Sequence, residues 1–431
     1  MQKNSLNKSI SALALPAIVS NITTPLLSLI DIAIVGHLGS AAFVAAIAVG
    51  GTLFNMLYWL FGFLRFGTSG LTAQAYGKGD RKERDTILRQ SLTIALTFGA
   101  ALILLQWPIG KLAMLLLNTD PETERLATVY FRILIYGAPA VLMQYVLTGW
   151  FVGNQNTRAP MWISLAVNVI NIAASLLLVL VFGMELRGVA LGSLIAQWSG
   201  IIIAFMFVGT LPRASAKSAH LRRFFAINAD IFLRTLCLIA VTVWFTRLGA
   251  SQGTVILAVN TLLLQLFTLF SYFMDGFAFA AEALCGKFLG ARNFADLRRC
   301  ISRIELWSAA MAVVFTLVYA IGGNDFLRLL TDDEAILRAA EPYRLWAVAI
   351  PLAGFMAFTW DGIAIGTTRT RMMLLSMAVA TAIFFALNAA LSSLPALAAY
   401  ANHSLWLSFL LYLLTRGILL KRLATPTSSA L

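Results

Sequence analysis

Apolar residues along this chain come in runs of membrane length, and short polar connections separate the runs from the first residues almost to the last. A run of about 20 apolar residues is what an α-helix needs to cross a hydrocarbon layer about 30 Å thick. Only helices and closed barrels satisfy every backbone N–H and C=O there, and a barrel would show alternating segments of about 10 residues instead. The pattern predicts twelve spans, at 10–36, 46–75, 88–112, 127–152, 160–182, 188–210, 229–248, 254–286, 302–322, 341–366, 373–394 and 402–420. The longest basic connection, LPRASAKSAHLRRFFAIN, falls at mid-chain and divides residues 1–211 from residues 229–431, with 212–228 as a cytoplasmic linker. Each side then holds six helices.

Internal repetition supports that division. AQAYGKGD from Ala73 is matched by GKFLGARN from Gly286, and GWFVGNQNTR from Gly149 by GIAIGTTRTR from Gly362, both 213 residues on. LGSAAFVAAIAVG from Leu38 is matched by LGASQGTVILAVN from Leu248 at 210. An even number of spans per half makes the copies parallel repeats, a layout typical of transporters.

Polar residues inside the spans are few and patterned. Asn21, Thr24, Ser28 and Asp31 are spaced by three, four and three residues in the first span, one face of a helix ending in a carboxylate. An ionisable residue there costs about 2.5–3.5 kcal/mol on insertion scales, so the stripe should face protein and not lipid. In the same half, Ser164, Asn168, Asn171 and Ser175 share a face of the fifth span, Ser193 and Gln197 of the sixth, Gln144 and Thr148 of the fourth, and Arg65, Ser69 and Thr72 of the second. Together they predict a wet cavity with one titratable group in its wall. Asp31 has no counterpart in the other half, where the repeat offset lands on Val241. That half carries Asp275 and Glu282, seven residues apart in the eighth span, and Asp361 in the tenth, with Arg234 available as an ion-pair partner. Substrate contact and internal ion pairing both remain open for these acids. Met143, Met161, Phe151 and Trp162 are placed near the cavity as soft substrate contacts.

Composition narrows the class. Of 431 residues 60% are hydrophobic and only 12% charged, against about 25% charged in soluble domains. The formal charge of +13 does not call for nucleic acid, because the basic residues gather in alternate short connections, as the positive-inside rule and contact with anionic lipid headgroups require. That alternation, with Lys3 and Lys8 ahead of the first span, predicts cytoplasmic termini and no cleaved signal peptide. Cys237, Cys285 and Cys300 have no metal or redox spacing, and His37, His220 and His403 are scattered. No catalytic cluster, metal site or cofactor is expected.

LPAIVSNITTPLLSLIDIAIVGHLG, GLTAQAYGKGD, GNQNTR and DGIAIGTTRTR, in this order over the whole chain, resemble the multidrug and toxic compound extrusion (MATE) transporters, in their DNA-damage-inducible F-type (DinF) branch. The resemblance implies an all-α integral membrane fold of twelve helices, two pseudo-symmetric six-helix bundles in a V around a central cleft. It implies a monomeric inner-membrane exporter of cationic or amphiphilic drugs, energised by a proton gradient and working by alternating access. On that likeness Asp31 is the protonation site, Pro16 the point where the first helix bends, and Asn171 and Ser193 its hydrogen-bonding neighbours. Relatives often carry an aspartate where Ser175 stands, which leaves Asp31 as the sole carboxylate. The seventh-span acid of the sodium-coupled branch aligns with Arg234, which disfavours sodium coupling, while Asp361 matches the tenth-span acid of the wider family. The alternatives are sodium-coupled antiport and a flippase for lipid-linked oligosaccharides or other lipids; a flippase needs a basic cavity.

Overall fold

Helices account for nearly all of the regular structure because the apolar runs leave the backbone no other partner than itself. In the computed structural model, residues 3–36, 41–117, 120–209, 221–395 and 400–424 are described, except that the side chains at 24–29 and a few at segment ends are not. The helices are α1 (Lys3–Gly36), α2 (Ala41–Leu60), α3 (Phe63–Gly77), α4 (Arg81–Leu104), α5 (Gln106–Leu117), α6 (Pro121–Leu134), α7 (Ala138–Gly153), α8 (Arg158–Leu176) and α9 (Glu185–Val208). They continue as α10 (Leu221–Ser251), α11 (Thr254–Gly290), α12 (Phe294–Arg328), α13 (Glu334–Ala340), α14 (Arg344–Gly366), α15 (Thr370–Ser392) and α16 (Ala401–Ala424). Among the described residues there is no strand, and eleven stretches are long and apolar enough to cross a membrane. The first predicted span lies in α1, where the side chains at 24–29 are outside the description.

Several spans are broken where hydropathy is continuous. The second is α2 and α3 with a turn at Phe61 and Gly62, and the fourth is α6 and α7 joined by a tight turn of 3-10 helix at Ile135–Gly137. Pro139 stands in the first turn of α7, where its missing N–H costs nothing, whereas its repeat partner Pro351 is inside α14.

The chain divides into two compact units, one of Leu15–Phe225 and one of Met1–Ala14 with Ala226–Leu431. The sequence division at 211 places residues 1–14 with the first six spans; their contacts place them with the later unit. Leu6, Ile10, Leu13 and Ala14 are buried, and Trp307 Nε1 on α12 donates to Asn7 Oδ1 at 3.3 Å. The basic linker lies outside the described residues over 212–220, and from Leu221 the chain is already helix. Each unit has its own apolar core, one around Phe54, Phe131 and Leu147, the other around Phe245, Phe270 and Trp406. Met143 and Phe151 belong to the first core and Trp162 is exposed.

The repeat is visible in backbone detail. Gly79 and Arg292 both hold positive φ, 74° and 54°, as do Gln155 and Thr368, 64° and 53°. Each lies just past a helix end and lets the next N–H close back on the last turn. Asp80 N donates to Ala75 O at 3.1 Å and Asn293 N to Phe288 O at 2.9 Å; Asn156 N donates to Phe151 O at 2.9 Å and Arg369 N to Ala364 O at 2.8 Å. These are Schellman closures at positions 213 apart. Asp80 and Asn293 then cap α4 and α12 through Glu83 N and Asp296 N. Asp120 and Asp333 cap α6 and α13 in the same way. The main helix crossings match as well. A Cβ on Gly153 would lie 2.7 Å from Ser69 O, and one on Gly366 would lie 2.6 Å from Glu282 O, so glycine at these two sites lets α7 meet α3 and α14 meet α11.

Candidate functional site

Four helices of the earlier unit converge on one hydroxyl. Ser193 on α9 stands beside the carboxylate of Asp31 on α1 and the phenol of Tyr130 on α6. It accepts from Asn171 Nδ2 on α8 at 2.8 Å. A hydroxyl has one proton to give and two lone pairs, so it can donate to Asp31 while accepting from the amide and the phenol. Glycines set the approach: a Cβ on Gly192 would lie 2.7 Å from Ser175 N, and one on Gly50 would meet the Tyr130 ring at 2.5 Å.

All of these groups are buried, Asp31 to 7% exposure, Asn171 to 1%, Ser193 to 6% and Ser175 to 0%. The expected wet cavity is therefore, in this conformation, a closely packed polar cluster. It is not fully satisfied. Asp31 Oδ1, Asn171 Oδ1 and Ser175 Oγ have no hydrogen-bond partner among the described residues, and neither do Gln144 Oε1 and Gln197 Oε1. Buried acceptors left open are costly unless something comes to them.

The other expected site residues sort by position. Thr24 and Ser28 lie outside the described side chains. Asn21 and Thr148 are half-buried. Asn168 belongs to a second polar contact, donating to Thr23 O at 3.1 Å, while Thr23 and Ser164 share a hydrogen bond of 3.2 Å; thus Thr23, off the expected stripe, is what meets the fifth-span face. Gln197 packs its amide against Gly137. Ser69 and Thr72 are fully buried in the α3–α7 crossing beneath Gly149 and Gly153, which is close packing and not cavity lining. Pro16 is half-buried, and α1 runs through it without interruption. Tyr130 was not foreseen. Nor was its neighbourhood: Tyr58 lies within electrostatic reach of Tyr130 and Tyr145, and Tyr145 within reach of Arg65.

The later unit holds a different cluster. Asp361 Oδ2 on α14 accepts from both Arg234 on α10 and Arg416 on α16. Arg416 was missed; with it, this cluster holds two bases on one acid. Phe358 lies under Arg416 at 5.9 Å, and Tyr412 lies beside the same guanidinium. Glu282 is buried to 1% at the α11–α14 crossing, at the position that Ser69 occupies in the first repeat. Asp275 is half-buried beside Tyr272. The structure does not bring Asp275 or Glu282 into the Asp361 cluster.

Sequence comparison decides the family. The MatE model matches residues 16–177 and 227–391, one segment in each repeat. The chain belongs to the MatE family. DNA damage-inducible protein F (DinF) of Escherichia coli strain K12 is 38% identical over 429 residues, covering 96% of this chain and 91% of that protein. A probable multidrug resistance protein NorM of Photorhabdus laumondii is 23% identical, covering 77% of this chain and 75% of that protein. The crystal structure of MATE in the straight conformation aligns with a TM-score of 0.83 at 18% identity over 97% of this chain and 96% of that chain. This MatE protein is thus a multi-pass membrane transporter of the multidrug-efflux kind, built on the all-helical MATE fold, and it stands with the DinF relatives.

Proposed function

We propose that this MatE protein is a proton-coupled antiporter that exports small cationic or amphiphilic compounds across the bacterial inner membrane, with both termini cytoplasmic. The observation that carries the reading is Asp31, a buried carboxylate set beside Ser193 with Oδ1 left without a partner among the described residues. As a carboxylate it is acceptor-only, so Oδ1 is free to meet a cationic solute. As a carboxylic acid it becomes a donor. Ser193 then accepts from the acid and can turn its one proton towards the Tyr130 oxygen, while the Asn171 amide goes on donating to it. A proton and a cation compete for one group, which couples their fluxes. The contact that ties α1 to α9 changes with each exchange. Pro16, lacking an N–H, makes the turn of α1 just before it the easiest place to bend, and access to the site alternates as α1 moves.

Two observations support protons over sodium: Ser175 leaves a single carboxylate in the cluster, and Asp361 in the later unit is already held by two guanidiniums. No cofactor enters the scheme; the proton gradient supplies the energy. The test is uptake of ethidium into inside-out vesicles under an imposed pH gradient or an imposed sodium gradient, for wild type and Asp31→Asn. The pH gradient should drive wild-type uptake and the variant should be inert while expressed at the wild-type level. Uptake driven by sodium alone, or retained by Asp31→Asn, would sink the proposal.

A further inference from the structure

Asp361, Arg234 and Arg416 are each more than nine-tenths buried, at 7%, 9% and 3% exposure. Both guanidiniums spend a donor on the same oxygen, Oδ2. Asp361 Oδ1, Arg234 Nε and Arg416 Nε are left with no hydrogen-bond partner among the described residues. Among the described residues, the charged and titratable groups acting on this cluster are its own three members and Tyr412. Its formal charge with a neutral phenol is therefore one positive unit, in a helical core with Phe358 and Met377 close by. A single carboxylate does not balance two guanidiniums, and a buried charge is retained only when something pairs it. Guanidinium forks are matched to flat or tripodal oxyanions.

We propose that the Arg234–Asp361–Arg416 cluster of the later unit is a binding site for the anionic headgroup, carboxylate or sulfonate, of an amphiphilic solute. The anion supplies the missing charge and accepts from the unpaired Nε groups, while the aromatic side chains receive its apolar body. Asp361 is then the residue that keeps the two arginines in place between occupants and limits affinity by repelling the headgroup. This goes beyond cation export through Asp31 and does not require it.

The full-length protein in detergent is titrated with 2-naphthalenesulfonate and, as a cationic match in size, N-methylquinolinium, by equilibrium dialysis against empty micelles. Wild type should bind the sulfonate saturably. Arg234→Gln leaves a neutral Asp361–Arg416 pair and a formal charge of zero, so its sulfonate affinity should fall at least tenfold. Arg234→Lys restores the charge and should recover most of the loss. N-methylquinolinium binding should not follow this series. Wild-type sulfonate uptake no greater than that of empty micelles overturns the proposal, and so does an Arg234→Gln protein of normal elution profile with wild-type affinity. Should Arg234→Gln fail to fold, Arg416→Gln removes the same charge from α16 and is read by the same criteria. Ethidium transport by Asp31→Asn is scored separately, so either reading can fail alone.

Discussion

The two halves share a scaffold and differ in the polar cluster that each builds on it. At positions 213 apart they place the same left-handed residues, Gly79 with Arg292 and Gln155 with Thr368. They cap helices with carboxylates at Asp120 and Asp333 and cross helices over glycines at Gly153 and Gly366. Within that common frame the earlier unit buries one acid among hydroxyls and amides, and the later unit buries two bases on one acid. Backbone geometry was kept through the duplication because each glycine and cap answers a local steric or hydrogen-bonding need. Polar side chains in the spans answer to whatever enters the site, and they diverged.

That contrast is sharpest in what removal of each carboxylate should do. Asp361→Ala leaves two guanidiniums buried without a counter-charge and should cost about 3–5 kcal/mol, read as a large fall in thermal unfolding temperature in detergent. Asp31→Asn keeps an acceptor for Ser193 and should barely move it. Equal losses in the two variants would erase the distinction between a structural and a functional carboxylate. Next in size are the helix crossings. Gly153→Val and Gly366→Val each push a side chain into the backbone of α3 or α11, and overpacking of this kind costs about 1–3 kcal/mol. Both should destabilise alike, and a tolerated substitution in one half would show that the crossings are not equivalent. Ser193→Ala removes the hub of the Asp31 cluster and strands Asn171, a loss of about 1–3 kcal/mol at most. Its clearer sign should be a displaced pH profile of ethidium transport, whereas Ser376→Ala, a buried hydroxyl of the later unit, leaves that profile in place.

The smallest effect belongs to the matched caps. Asp120 accepts from the backbone N–H groups of Glu122 and Thr123, and its bonds with Thr123 hold its carboxyl below the usual aspartate range. A carboxyl lowered on folding stabilises above its unfolded value, about 3.9, and loses that contribution as pH falls through the folded one. Asp120→Ala should therefore produce a slight fall in unfolding temperature that is constant from pH 5 to 8 and disappears in stronger acid. Asp333→Ala should give a similarly slight fall at neutral pH.

Much of this was legible in the chain. AQAYGKGD and GKFLGARN announced the repeat because each carries the same left-handed closure and the cap that follows it. Asp31 stood out because a carboxylate in an apolar run is expensive. Arg416 escaped notice because it lies five residues before Lys421 and Arg422, where basic residues signal topology, and only the fold turns it inward onto Asp361. Tyr130 reads as an ordinary aromatic of an amphipathic helix, and the hydroxyl beside which the fold places it belongs to a residue 63 positions away. Thr23 was set aside for Thr24 because a three-and-four spacing favours one face of α1, while α8 packs on another. The breaks at Phe61 and at Ile135–Gly137 leave no mark in hydropathy, since every residue around them is apolar.

The first turns of α1 set an order of events in biosynthesis. Asn7 meets Trp307, 300 residues later. At roughly 5–20 residues per second, the ribosome needs about 15–60 s after making Asn7 to deliver its partner. Through that interval Leu6, Ile10 and Leu13 have only lipid or the membrane insertion machinery against which to shelter. Assembly of the later unit therefore joins the oldest segment of the chain to a helix made long after it.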